Sequence, residues 1–271
     1  MFPKLLDLGP LTVYSYGVLL AAAYLGGLQL SLVRAKQRGL DPARVMDLGI
    51  YIIVSALVGA KLLLVIVDAD HFLREPADLL SLARSGGVFY GGLILAVLVG
   101  LWYVRKHQLP TWRIADVAAP GIAFGHVVGR FGCFLAGCCY GHETTVPWAV
   151  TFTNPLALEN VGTPLGVPLH PTQLYEAGAE AVILGLLLAL EHKGRPFPGR
   201  TFWGYMLVYG VSRFVIEFFR GDPRGMVVDG LSTSQFISLL IVPLSLAMLY
   251  WLSRTPADAT PAASRPRAAR A

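Results

Sequence analysis

The sequence predicts an all-α polytopic membrane protein with seven transmembrane helices, from its composition and from the pattern of its charges. Apolar residues make up 55% of the 271 residues and charged residues only 14%, whereas an ordinary soluble chain has about 25% charged residues. The charges lie between long uncharged runs, several of which reach the roughly 20 residues that a helix needs to cross a bilayer. The apolar excess excludes a disordered chain. The net charge of +5 comes without the basic stripe and interleaved aromatic residues that nucleic-acid binding requires.

Seven apolar runs are candidates for the spans. Five meet the length criterion well: 13–33, 46–67, 86–104, 201–219 and 235–253. Two are weaker, because 114–137 is rich in Gly and Ala and contains ionisable residues, and 174–190 is short. No small-residue cleavage site follows the first run, so we expect a retained helix there rather than a cleaved signal peptide.

The positions of the Lys and Arg residues predict the orientation, because short cytoplasmic loops retain positive charge. The segments after spans one, three, five and seven carry 14 of the 22 Lys and Arg residues, five lie on the opposite side, and three lie within spans. We therefore expect the N-terminus outside the membrane and the C-terminus in the cytoplasm. The membrane domain then covers 1–253, and the Ala/Pro/Arg-rich tail over 254–271 is expected to be disordered in the cytoplasm.

The longest outer connection, 138–175, is expected to fold as a small extracytoplasmic cap between spans four and five. It contains no Lys or Arg, and five prolines interrupt it: Pro147, Pro155, Pro164, Pro168 and Pro171. The segment 148–152 is compatible with a short strand.

Ionisable side chains inside the spans are the candidate functional residues, because charge in a bilayer is costly and usually faces the bundle interior. Two spans each place three such residues on one helix face: His126, Arg130 and Cys133 in span four, and Tyr209, Arg213 and Glu217 in span six. We expect both faces to meet in one cavity in the outer half of the membrane. Two arginines with one nearby acid leave a positive surplus, and guanidinium groups match phosphate oxygens in a bidentate manner. The alternative is that Arg213 and Glu217 only pair to hold helices together.

Other residues in the spans have two readings each. Lys61, near the middle of span two, either snorkels to a surface or joins the cavity. Close helix packing explains most glycines. Those that bracket the arginine and the cysteines indicate a backbone that approaches a ligand or breaks its helix: Gly129, Gly132, Gly137 and Gly141.

Potential metal ligands also lie in this region: His126, Cys133, Cys138, Cys139 and His142. Their spacing fits none of the compact zinc patterns, and adjacent cysteines rarely both face one ion, so we expect no metal site. Without a C-x-x-C pair we also expect no redox role. Small apolar packing is the default for a buried cysteine.

The run 129–141, Gly-Arg-Phe-Gly-Cys-Phe-Leu-Ala-Gly-Cys-Cys-Tyr-Gly, resembles the signature of the prolipoprotein diacylglyceryl transferase family. The family pattern reads Gly-Arg-x-Gly-Asn-Phe-x-Asn-Gly-Glu, with a Gly three residues later. Further stretches agree in order: 16–17, 86–92, 170–176 and 209–220, while 147–150 resembles the family's outer domain. The resemblance covers nearly the whole chain except the tail.

The resemblance implies a reaction and its partners. Members of that family transfer the diacylglyceryl group of phosphatidylglycerol to the lipobox cysteine thiol of a preprolipoprotein signal peptide, so that a thioether forms and glycerol phosphate leaves. It implies a protein of the bacterial inner membrane that needs no metal or cofactor and binds no nucleic acid. Arg130 and Arg213 would bind the phosphate and stabilise the charge that builds on the leaving group. The remaining residues expected around the lipid are Tyr16, Gly129, Gly132, Gly141 and Glu217.

This chain departs from the family pattern at the catalytic end. The family's His-Gly-Gly at the start of span three is Tyr90-Gly91-Gly92 here, and the Asn and Glu of the arginine signature become Cys133 and Cys138. The acceptor thiol needs a base to become a thiolate. Either Tyr90 fills that role or a displaced histidine does.

The displaced histidine would be His126 or His170, and Tyr209 completes the candidate catalytic residues. A third interpretation is a divergent relative with another acceptor or no transferase activity. The competing function is a lipid or anion transporter with the arginines in its path, although no internal repeat supports the inverted halves of such a fold.

Overall fold

The computed structural model describes residues 2–7, 12–75, 87–192, 197–223, 226–228 and 230–255. The helices in these ranges are α1 Ser15–Gln37, α2 Pro42–Val67, α3 Ala69–Arg74, α4 Phe89–Lys106, α5 Thr111–Ala136, α6 Pro155–Val161, α7 Thr172–His192, α8 Arg200–Glu217 and α9 Thr233–Arg254. The strands are β1 Lys4–Asp7, β2 Thr12–Tyr14, β3 Val150–Thr151, β4 Pro168–Leu169, β5 Met226–Val228 and β6 Leu231–Ser232. The chain divides into two compact units, 1–31 with 115–259 and 32–114 with 260–271.

Among the described helices, six are long and apolar enough to cross a membrane: α1, α2, α4, α5, α7 and α9. This confirms the prediction of a mostly helical protein with several membrane-spanning helices. The run 201–219, ranked among the strong ones, is not in this set. Its helix α8 carries Arg200, Arg213 and Glu217, and these charges lower its mean hydropathy. The seventh span and the orientation stay predictions, and most of the expected tail lies outside the described residues.

In the unit 32–114, α2 and α4 approach closely at two glycines. A Cβ atom on Gly59 would collide with the carbonyl oxygen of Gly91, and one on Gly91 would collide with that of Gly59. Backbones come this close in membrane helices only through small residues. Tyr90 and Lys61 also belong to this unit.

In the unit 1–31 with 115–259, α1 and α5 cross in the same way. A Cβ atom on Gly27 would lie 2.6 Å from the carbonyl oxygen of Gly121. Gly121 lies directly after Pro120, which α5 contains without ending.

The helices α5, α7 and α8 share an apolar core. Its buried members are Ala119, Ala123, Ile183, Leu187 and Tyr205. Asp116 of α5 caps the N-terminus of α8, since its carboxylate accepts hydrogen bonds from the N–H groups of Gly199 at 2.7 Å and Phe202 at 3.0 Å. Buried acceptors at a helix N-terminus satisfy donors that the helix itself cannot, so this contact fixes where α8 begins.

The region expected to form the cap is folded. Strands β3 and β4 pair antiparallel, with Val150 opposite Leu169, and Leu169 forms a small buried core with Tyr140 and Phe152. The strand lies within the segment 148–152 singled out from the sequence, whereas helix α6 is an addition. An isolated bridge from Gly141 to Arg220 ties this region to the end of α8. Its place outside the membrane stays a prediction.

Candidate active site

Three arginines converge on the carboxylate of Glu176, in the second turn of α7. Arg130 of α5 places Nη2 2.5 Å from Oε2, Arg220 places Nη1 2.7 Å from Oε1, and Arg213 of α8 places Nη1 3.8 Å from Oε1. Glu176 is 4% exposed. The faces that carry Arg130 and Arg213 therefore meet at Glu176, whereas the shared cavity in the outer half of the membrane stays a prediction.

Two further carboxylates balance the charge of this arginine cluster, Arg130, Arg213 and Arg220. Glu217 lies one turn after Arg213 and places Oε2 2.5 Å from its Nη1. Asp222 accepts two bonds from Arg220, at 2.9 Å from Nε and 3.0 Å from Nη2. Among the residues that the structure describes, three guanidinium groups thus face three carboxylates, and the expectation of a positive surplus is wrong for them. The surplus was expected because Glu176 and Asp222 lie outside the two helix faces from which it was inferred.

The three guanidinium groups differ in accessibility. The Arg130 side chain is 20% exposed, against 7% for Arg213 and 2% for Arg220. Arg213 is also held by Ser234, whose Oγ accepts a hydrogen bond from Nη2 at 2.8 Å. Arg130 is therefore the member of the cluster that a ligand reaches most easily.

His126 lies one turn before Arg130 and is oriented by an acid. Its Nδ1 is 2.6 Å from Oε1 of Glu180, whose side chain is 4% exposed. The Tyr205 hydroxyl is 3.0 Å from the same nitrogen and donates to Glu180 at 3.3 Å. A carboxylate accepts only, so Nδ1 carries the proton and a neutral ring keeps a lone pair on Nε2. The ring of Tyr209 lies against His126, with centroids 5.4 Å apart.

His170 lies in a separate aromatic group before α7. Trp148 donates through Nε1 to the Tyr175 hydroxyl at 2.7 Å, which leaves that hydroxyl free to donate to Nδ1 of His170 at 3.0 Å. The His142 ring is 4.8 Å from the His170 ring. Burial lowers the pKa of His170, and the neighbouring His142 acts in the same direction. His170 is therefore neutral at pH 7.

The three cysteines come together beside the arginine cluster. The Sγ atoms of Cys133, Cys138 and Cys139 all lie within 4.8 Å of one another, and no disulfide joins them. The expectation that adjacent cysteines would not face one point is wrong here, and the loop that brings them together after α5 has a positive φ at Gly137, 85°, and at Cys139, 63°. Hydrogen bonds from the Cys133 and Cys138 thiols hold the pKa of Cys139 well below its ordinary range, and the Arg220 and Arg130 charges add to this.

The other predicted lipid-binding residues have different surroundings. A Cβ atom on Gly132 would lie 3.4 Å from Cδ2 of Tyr16, and one on Gly141 would lie 2.5 Å from the backbone oxygen of His170. Gly141 therefore lets backbone segments pack closely, whereas Gly132 lies beside the Tyr16 side chain and Gly129 has open space beside it. Tyr16 is 41% exposed. Their contact with lipid stays a prediction.

Tyr90 belongs to the other unit, where it is the second residue of α4. It is 38% exposed, and its ring centroid lies 5.7 Å from that of Phe89. Its role as a base stays a prediction, as does any role of Lys61.

Sequence reasoning missed several residues of the site: Glu176, Glu180, Tyr205, Arg220 and Asp222. Glu176 and Glu180 are four residues apart in the weak span 174–190, so the rule that singled out intramembrane charges on one face would have found them. Tyr205 extends the Tyr209 face by one turn in the same way. Asp222 follows the helix and has no such signal.

Comparisons with known proteins point in one direction. A model of the family described as prolipoprotein diacylglyceryl transferase matches residues 3–251. A protein of Clostridium tetani named phosphatidylglycerol–prolipoprotein diacylglyceryl transferase is 38% identical over 243 residues, which cover 89% of this chain and 94% of the relative. One of Clostridium perfringens, with that name and the number 2, is 36% identical, covering 86% and 88%. One of Trichormus variabilis with the same name is 30% identical, covering 92% and 89%.

Proposed function

The chain belongs to the prolipoprotein diacylglyceryl transferase family, and from that premise we propose that it transfers the diacylglyceryl group of phosphatidylglycerol to the lipobox cysteine of a preprolipoprotein. The acceptor sulfur attacks the glycerol carbon that bears the phosphate, and the carbon–oxygen bond to that phosphate breaks. A thioether forms, and the bonding electron pair leaves with glycerol phosphate. The thiol proton passes to a base.

The arginine cluster is the observation that carries this proposal. The leaving phosphate gains a negative charge as the carbon–oxygen bond breaks, and fixed donors in a site of low dielectric constant stabilise such charge. Arg130 is the most exposed guanidinium of the three. The phosphate can replace Glu176 as the partner of Arg130. Glu176 then keeps two other partners, Arg213 at 3.8 Å and Arg220 at 2.7 Å. The exchange therefore leaves that carboxylate paired.

His126 is the base that the geometry favours. It shares a face of α5 with Arg130, and Glu180 holds its Nδ1 at 2.6 Å, so Nε2 is available to take the thiol proton. A carboxylate that fixes the tautomer of a catalytic histidine acts in the same way in many hydrolases. Tyr205 and Tyr209 position the ring.

We propose the topology that the sequence predicts, with seven spans and the N-terminus outside, in the inner membrane of a bacterium. Helix α8 has 18 residues, which span about 27 Å at 1.5 Å per residue. Arg213 and Glu217 are buried, so these two charged groups do not face lipid. Signal peptides of preprolipoproteins are the acceptors.

Complementation tests the function. A strain depleted of its own diacylglyceryl transferase should grow when it carries this chain, and mass spectrometry of a reporter lipoprotein should detect the thioether. Variants Arg130→Ala and Arg213→Ala should fail to rescue although they reach the membrane. Wild-type rescue without thioether formation would overturn the proposal.

A further inference from the structure

We propose that Cys133, Cys138 and Cys139 form a three-thiolate zinc site whose fourth position binds the cysteine thiol of the acceptor peptide. This inference rests on the proposed function, because it assigns the acceptor to a place in the same site. It reverses the expectation, drawn from spacing alone, that the cysteines hold no metal.

The first support is distance. Zinc binds thiolates at about 2.3 Å, so sulfur atoms around a tetrahedral ion lie about 3.8 Å apart. The three Sγ atoms already lie within 4.8 Å of one another. Small rotations of the side chains close the remaining distance. A zinc ion with three protein ligands keeps one position open, as catalytic zinc sites do.

The second support is the rigid backbone that carries the three thiols. Buried side chains hold the carbonyl groups of the loop: Thr163 Oγ1 donates to Gly137 at 2.9 Å, Gln173 Nε2 to Cys138 at 2.7 Å, and Thr172 Oγ1 to Cys139 at 2.7 Å. All three donors are fully buried. Such partners behind the ligands orient metal sites and keep them from collapsing. Cys139 itself has a φ of 63°, a conformation that a non-glycine residue adopts only when its surroundings hold it there.

The third support is charge. Three thiolates around a divalent ion carry a net charge of −1, and a fourth thiolate makes it −2. Arg220 and Arg130 are close enough to act on Cys139, so their guanidinium groups stabilise thiolates here although Glu176 and Asp222 also pair with them. Cys133 also lies one turn after Arg130 on α5, so an acceptor on the metal would lie beside a donor phosphate on that arginine.

The chemistry explains why thiols suit this position. A thiol that coordinates zinc loses its proton, and the thiolate is the nucleophile that the transfer needs. The proton passes to the base, for which His126 is the candidate, and the sulfur attacks the glycerol carbon while glycerol phosphate leaves with the electron pair. The thioether product carries no charge and is a weaker ligand, so it dissociates from the metal. No oxidant or reductant takes part.

Cobalt spectroscopy tests the site with the full chain, because Co²⁺ replaces Zn²⁺ and absorbs in proportion to the thiolates bound to it. The chain has only three cysteines, so every thiolate signal comes from this cluster. We expect the reduced, metal-free protein to bind one Co²⁺ with a charge-transfer band of three thiolates, and excess Zn²⁺ to remove the band. The single variants Cys133→Ser and Cys138→Ser should lose about a third of the intensity or bind at least tenfold more weakly, whereas the control His142→Ala should bind as wild type does.

The acceptor is tested on the same sample. A synthetic signal peptide with its lipobox cysteine should raise the band by the intensity of one more thiolate, and the same peptide with serine should leave it unchanged. Failure of the reduced protein to bind Co²⁺, or an unchanged spectrum with the cysteine peptide, would overturn the proposal. No lipid is present in this titration, so loss of the proposed transferase function would appear in complementation and not here.

Discussion

Arg130 of α5 and Glu176 of α7 form an ion pair, with Nη2 2.5 Å from Oε2. The pair joins two helices and at the same time occupies the most exposed guanidinium of the arginine cluster. An anionic lipid headgroup must therefore compete with a carboxylate for Arg130. In the proposed mechanism the headgroup replaces Glu176 on Arg130, and this exchange leaves the carboxylate paired because Arg220 lies 2.7 Å from Glu176.

Replacing Arg130 tests this exchange directly. We expect Arg130→Ala to lower kcat/KM for diacylglyceryl transfer about 100-fold or more, the effect of losing one donor to a developing negative charge. The readout is the rate of thioether formation on a signal peptide in vesicles that contain phosphatidylglycerol. The control is Arg254→Ala, since Arg254 lies at the end of α9, 4.2 Å above the ring of Tyr250. Equal rates for Arg130→Ala and wild type would contradict the phosphate assignment.

The Glu180–His126 contact predicts a coupled loss of activity. We expect Glu180→Gln to lower kcat about 10- to 100-fold with little change in KM, because the amide no longer fixes the Nδ1–H tautomer that leaves Nε2 unprotonated. In a His126→Ala background Glu180→Gln should lower kcat almost no further, because the losses from two residues that act as one unit do not add. Glu159→Gln, on the exposed side of α6, is the control. Additive losses would mean that Glu180 acts independently of the histidine.

The sequence predicted the part of the site that local spacing encodes. Arg130 and Arg213 were recognisable because four-residue spacing places each on one face with other functional residues. The pair Arg130–Glu176 was not, since it joins residues on two helices that only the tertiary fold brings together. The error in the charge balance follows from this difference.

The cysteine cluster escaped sequence reasoning for a different reason. Its convergence depends on a positive φ at Cys139, and nothing in the residue type favours that conformation. For the fold, hydropathy identified α1, α2, α4 and α9 directly. The length of its apolar run placed α8 above α5 and α7 as a candidate span. Length alone ignores charges such as Arg213 that face the protein interior.

His170 predicts a pH dependence of stability. Burial lowers its pKa, so the folded protein keeps this ring neutral at pH values where the unfolded chain, with a pKa of about 6.5, takes up a proton. The unfolded state then binds more protons, and stability falls as the pH falls below about 6.5. Between about pH 7.5 and about pH 5.5, we expect the melting temperature of His170→Gln to fall less than that of the wild type. An unchanged slope in His170→Gln would contradict the assignment.

The close crossing of α1 and α5 predicts that two glycines of the same unit respond in opposite directions to the same substitution. A Cβ atom on Gly121 would collide with the carbonyl oxygen of Gly27 and with Oγ of Ser31, whereas one on Gly185 in α7 meets nothing within 4 Å. Gly121→Ala forces the helices apart and should lower the free energy of unfolding by about 1–3 kcal/mol. Gly185→Ala removes only the flexibility of glycine in a helix and should raise the free energy of unfolding by as much as about 1 kcal/mol. Thermal unfolding in detergent measures both, and equal melting temperatures for the two variants would mean that α1 and α5 separate at no cost.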